Sequence, residues 1–122
     1  MLSPTGYSPD APYPSNKEFV EKFTAQFGKA PDEDQANGYT AGQVVAAAVT
    51  AVGCAEQGDC QKKLVDWVHG NKVETVVGPL SWDQTGKPQG AHMIQQWVGG
   101  KIKIVLPAAV KEADFVYPKP AW

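Results

Sequence analysis

The sequence contains no arginine; all eleven basic residues among its 122 are lysine. The planar fork that grips phosphates in two places at once is therefore missing, and a net charge of -2 leaves no basic footprint either. No nucleic-acid partner is expected. Long apolar runs are also missing. The most apolar stretch, residues 41–52, is rich in alanine and valine but is broken by Gly42, Gln43 and Thr50, and falls short of the roughly 20 residues that cross a bilayer. Residues 1–4, MLSP, lack the basic and apolar regions of a secretory signal, so the signal of an exported protein would lie upstream of them. Histidine and cysteine are scarce. His69 and His92 have no partner motif, and the Cys54/Cys60 spacing is too long for a zinc knuckle, so no metal or cofactor is expected. Nor is there a G-x-S-x-G elbow, a phosphate loop or a Cys/His pair with a base, and no enzyme chemistry is expected.

Proline and glycine supply the punctuation. Four prolines in residues 1–14 exclude helix and argue against a central strand, leaving a linker or wrapped arm that Tyr7 and Tyr13 could anchor. Ser15 with Glu18 reads as a capping box for a helix whose Phe19, Val20, Phe23 and Phe27 share one face, stopped by Gly28. Asp32, Glu33 and Asp34 crowd the mouth of the next helix, residues 34–52, where carboxylates cap free amides and complement the helix dipole. Gly53 follows as its cap. Cys54 and Cys60 flank a polar loop. They could close a disulfide worth about 2 kcal/mol in an oxidising compartment, or stay as two reduced thiols. Asp59 reads as the cap of a third helix carrying Leu64, Val65, Trp67 and Val68, ended by Gly70. Residues 73–77 read as one β-branched strand that Gly78-Pro79 ends, and Asp83 to Gly86 has the composition of a type I turn. Residues 91–98 and 101–106 alternate in period two about Gly99-Gly100, which predicts a tight hairpin with one apolar face.

The pieces ETVVGPLSWD, QQWVGGK and YPKPAW, in that order and spacing, resemble the C-terminal third of the type I periplasmic solute-binding proteins of ABC transporters. More narrowly they are similar to the branched-chain amino acid (Leu/Ile/Val) and amide-binding group. The resemblance runs from about residue 14 to residue 122. It implies an α/β fold of three helices, a short strand and a C-terminal β-hairpin, a fragment of a two-lobe protein roughly three times longer. In that scheme residues 15–77 belong to the first lobe, 78–90 to a hinge-like connection and 91–106 to the second lobe, with 1–14 as arm and 107–122 as extended tail. Gly38-Tyr39-Thr40-Ala41 matches the family's aYxA motif, which implies Asp34, Gln35, Gly38 and Tyr39 as the residues nearest a ligand. The polar Asp34 and Gln35 depart from the bulky or aromatic residue usual there. The family's groups for the α-carboxylate and ammonium lie in the earlier two thirds of the chain and have no counterpart here. The resemblance further implies a periplasmic or extracellular location, an amino-acid-like solute and an ABC permease as partners, and no cofactor. The exposed helix stripes support an alternative, an assembly module that forms a homo-oligomer by exchanging its hairpin or a helix.

Overall fold

The computed structural model of the chain describes residues 2–90 and 92–118. The helical periodicities become α1 (Asn16–Phe27), α2 (Glu33–Val52) and α3 (Asp59–Gly70). α1 starts without the expected capping box. Ser15 takes a left-handed φ of 63° and makes no cap bond, and its hydroxyl accepts from Gln43 Nε2 at 3.2 Å. The cause is the next residue. Asn16 is completely buried, with Nδ2 2.9 Å from the Ala11 carbonyl and 3.1 Å from that of Ser8, while its Oδ1 accepts from the Tyr7 hydroxyl at 3.0 Å. Seating that amide in the interior turns Ser15 outward. The capping box sits instead on α2. Asp32 accepts from the amides of Asp34 and Gln35, and Gln35 Oε1 accepts from the Asp32 amide at 2.9 Å, so three free donors are satisfied.

Between α2 and α3, Cys54 and Cys60 form a disulfide of 2.06 Å. The N-cap of α3 is Gly58 rather than Asp59, which occupies the first helical turn and complements the dipole there.

The run 73–77 is not one strand. β2 (Val73–Thr75) and β3 (Gly78–Trp82) form a hairpin whose turn is Val76-Val77, with Thr75 opposite Gly78 and Glu74 opposite Pro79. Gly78-Pro79 opens the second strand instead of closing the first. An apolar turn is stable here because it points inward. Val76 is fully buried and its amide donates to Gln43 Oε1 at 3.0 Å, while Thr75 Oγ1 donates to the Gly78 carbonyl at 2.6 Å. β4 (Pro88–Gln89) completes this sheet after a turn held by Asp83, whose Oδ1 accepts from the Thr85 hydroxyl and from the Thr85 and Lys87 amides. Those bonds, the Thr85 hydroxyl foremost, hold the Asp83 carboxyl below the usual aspartate range.

The second sheet has the order β1-β5-β6, built from β1 (Leu2–Thr5), β5 (Met93–Val98) and β6 (Lys101–Leu106). The arm thus supplies a strand. It is an edge strand, where Pro4 needs no second partner. Gly99 and Gly100 have φ of 58° and 78°, as a primed two-residue turn demands. The expected start at Ala91 lies outside the described residues. A bulge between Ile94 and Gln95 breaks the simple alternation, so Ile104 and Val105 are buried together while Ile102 and Leu106 are half exposed. The tail lies back over this sheet as far as it is described. The Glu112 amide donates to the Ile104 carbonyl at 2.8 Å, and the Gln96 side chain exchanges two bonds of 2.9 Å with the Val116 backbone. Lys119 to Trp122, where the Pro-Lys-Pro tail was expected to continue, lie outside the described residues.

Two small cores result. Tyr7, Phe19, Ala36 and Val76 pack under the helices, and Met93, Ile104 and Val110 pack with Tyr13 under the second sheet. The arm, residues 6–14, runs between them and contributes a tyrosine to each.

Candidate functional site

The first two turns of α2 hold all four residues expected to face a solute. Asp34 and Gly38 are one turn apart on one face, and Gln35 and Tyr39 share the adjacent face. Asp34 is exposed, and a Cβ built on Gly38 would meet nothing within 4 Å, so this face is open. Gln35 is half-buried and its amide oxygen is engaged in the capping box. The Tyr39 ring stacks on Phe19 at 4.5 Å between centroids and 28° between planes, and the residue is 48% exposed. Phe19 is itself fixed edge-on to Tyr7, so Tyr39 stands on a rigid aromatic support. One residue further, Thr40 is buried, and its Oγ1 has no hydrogen-bond partner among the described residues.

The helix mouth borders a concavity of about 330 Å³. Its walls come from three directions: Thr5 to Asp10 of the arm, Pro31 to Glu33 at the start of α2, and Gln95, Ile102 and Ile104 of the second sheet. The four expected residues lie beside this concavity and are not part of its lining. Its polar groups include Asp10, Asp32, Glu33, Thr5, Ser8 and Gln95, several of them tied to one another or to neighbouring charges. Glu33 Oε2 accepts from the Gly6 amide at 3.2 Å and lies 3.1 Å from the Thr5 hydroxyl. Ser8 donates to Glu112 Oε1 at 2.6 Å, and Lys103 reaches both Asp10 at 3.4 Å and Glu112 at 3.6 Å. Those carboxylates, Asp10 first, push the Lys103 ammonium above its ordinary range. Burial, aided by Asp10, pushes the Tyr7 hydroxyl up to about 12.

Sequence reasoning missed Glu33, Glu112 and Asn16 in these roles. Glu33 was visible only as the middle of an acidic triplet. The Asp32-x-x-Gln35 spacing was a usable capping signal, but nothing local marks Asn16 or Glu112, whose partners lie across the fold. Among the described residues no group of three or more His, Cys, Asp or Glu side chains is arranged to hold a metal ion.

Comparison with known proteins shows the family of the chain. A family model described as periplasmic binding protein matches residues 1–101. A solute-binding protein of an ABC transporter from R. palustris, solved with benzoate, superposes with a TM-score of 0.71 at 28% identity, over 93% of this chain and 31% of its own. A second solute-binding protein, from Rhodopseudomonas palustris BisB5 and solved with 3,4-dihydroxybenzoic acid, gives 0.67 at 28% identity, over 84% of this chain and 28% of its own. The leucine-binding protein of Thermotoga maritima shares the fold, with a TM-score of 0.68 at 24% identity, over 92% of this chain and 31% of its own. No curated protein matches the chain. The chain therefore spans less than a third of the length of these solved relatives. With its three helices and antiparallel strands as a portion of that fold, it belongs to the family of periplasmic binding proteins, the type I solute-binding proteins of ABC transporters.

Proposed function

We propose that this chain supplies part of the cleft wall of an ABC-transporter solute-binding protein, with Asp34, Gln35, Gly38 and Tyr39 on the first turns of α2 nearest the solute. The observation that carries the reading is the family match over residues 1–101. In this reading residues 15–77 belong to one lobe, 91–106 to the other, and 78–90 lie near a hinge crossing. The complete receptor works in the periplasm or outside the cell and delivers its solute to a membrane permease.

The solute is a small organic acid. The R. palustris relatives were solved with benzoate and 3,4-dihydroxybenzoic acid and the T. maritima relative is named for leucine, all of which carry a carboxylate. Branched-chain and related amino acids or amides are the class favoured by the sequence resemblance. Asp34 provides an acceptor for an ammonium or hydroxyl group, and the half-exposed Tyr39 ring provides an apolar face for either an aliphatic or an aromatic side chain. Calorimetry of the chain against leucine, isoleucine, valine, glutamine, benzoate and 3,4-dihydroxybenzoate tests this. Saturable heat for one class supports the reading, and silence across the panel refutes binding by this chain alone.

A second reading is favoured by one feature. An apolar groove of about 220 Å³ runs between α2 and α3, lined by Val44, Val45, Ala48, Leu64, Val65 and Val68 among others, with Val45 and Val65 more than half exposed. Here the chain is an assembly module that covers the groove with a second copy through an exchanged helix or hairpin. Mass in solution and dye binding decide: a dimer, or a species that binds apolar dyes brightly, supports this reading, and a monomer with weak dye binding opposes it.

A further inference from the structure

We propose that Glu33 is a positioning residue that fixes the exit of β1 to the first turn of α2 and thereby sets the orientation of the cleft wall. This rests on the functional reading above, but the argument for the clamp comes from geometry alone. Thr5 is the last residue of β1, so Thr5-Gly6 is where the chain leaves the second sheet for the helical core. Glu33 is the first residue of α2. Its Oε2 accepts from the Gly6 amide at 3.2 Å and lies 3.1 Å from Thr5 Oγ1. The Thr5 hydroxyl also lies 3.0 Å from the Tyr7 carbonyl, so its one proton is shared between two acceptors. The amide of Gly6 is the firmer of the two ties.

Glycine at position 6 is part of the device. A Cβ there would stand 3.0 Å from Glu33 Oε1, so the carboxylate would have to give by a few tenths of an ångström. The clamp also explains why three acidic residues stand together at the helix mouth. Asp32 caps the helix, Asp34 stays open to solvent, and the carboxylate of Glu33 points back to the crossing. Because the bonds leave from the same helical turn that carries Asp34 and Gln35, any shift of the second sheet reaches the proposed wall through them.

Amide exchange on the wild-type chain, Glu33→Ala and Glu33→Gln tests the clamp directly. Losing one net hydrogen bond is expected to speed Gly6 exchange roughly three- to tenfold in Glu33→Ala. Glu33→Gln keeps an acceptor oxygen and should recover part of the protection. The unfolding midpoint and the protection in the middle of α1 should fall by no more than the loss of that one bond allows, and Glu33→Gln should recover them together with Gly6. Solute affinity should fall by about the same factor as Gly6 protection. Gly6 exchange equal in all three chains overturns the clamp. Faster Gly6 exchange with unchanged affinity overturns its positioning role. A wild-type chain that binds no solute refutes the functional reading instead, and the clamp is then decided by exchange alone.

Discussion

Asn16 has no exposed surface, yet it is polar, and its contacts tie three backbone carbonyls and the Tyr7 hydroxyl to the start of α1. A buried amide of this kind is stable only while its partners are in place, so its removal leaves several groups desolvated and unpaired. Asn16→Ala should cost about 3 kcal/mol in urea unfolding, whereas Tyr7→Phe, which removes a single bond, should cost about 1 kcal/mol. Tyr7 also carries a pH signature. Its hydroxyl ionises near 12 in the folded chain against 10.0 for a free tyrosine, so the unfolded chain loses that proton first. The stability due to the neutral buried tyrosine is complete below pH 10 and is lost as pH rises through 12. Absorbance at 295 nm should show Tyr7 and Tyr13 both titrating above the free-tyrosine range, and Tyr7→Phe should remove the component near 12. The sequence left the arm as a linker or a wrapped arm that Tyr7 and Tyr13 could anchor, and the structure packs both tyrosines into the cores. The bond to Asn16 was not readable, because it joins side chains nine residues apart.

At the level of elements, periodicity and punctuation located α1, α2, α3 and the C-terminal hairpin, because helical faces and a Gly-Gly turn are local signals. The β2–β3 hairpin was misread because local chemistry favours polar turns, and Val76-Val77 is an apolar one paid for by burial against Gln43. Gly78 is what permits it. Its φ is 101°, and a Cβ there would lie 2.9 Å from the Tyr13 ring, so Gly78→Ala combines backbone strain with overpacking. A loss of about 2–3 kcal/mol is expected by thermal unfolding. Gly38 contrasts with it. It lies inside α2 with open space around its Cα, so Gly38→Ala should stabilise the chain by about 0.5–1 kcal/mol. If the proposed wall is correct, the same methyl should weaken solute binding, so stability and affinity would move in opposite directions. The disulfide belongs to this scale as well. Replacing Cys54 and Cys60 together with serine should cost about 2 kcal/mol and loosen the first turn of α3 more than α1, as residue-resolved exchange would show.

For the whole molecule, the family was legible from several short pieces read in their order and spacing, and the family match covers residues 1–101. The candidate site was legible only as far as the position of one helix. A cleft wall needs its opposite wall, and this chain spans less than a third of the length of its solved relatives. What the chain does contain is a rigid aromatic support, an open helical turn and a carboxylate clamp, all converging at the start of α2. The most direct test of that convergence is a nitrogen-15 NMR titration of the chain with leucine and with benzoate. The account predicts saturable shifts concentrated at Asp34, Gln35, Gly38 and Tyr39, with smaller ones at Gly6. An unchanged spectrum, or shifts confined to Val45 and Val65 in the α2–α3 groove, would contradict it.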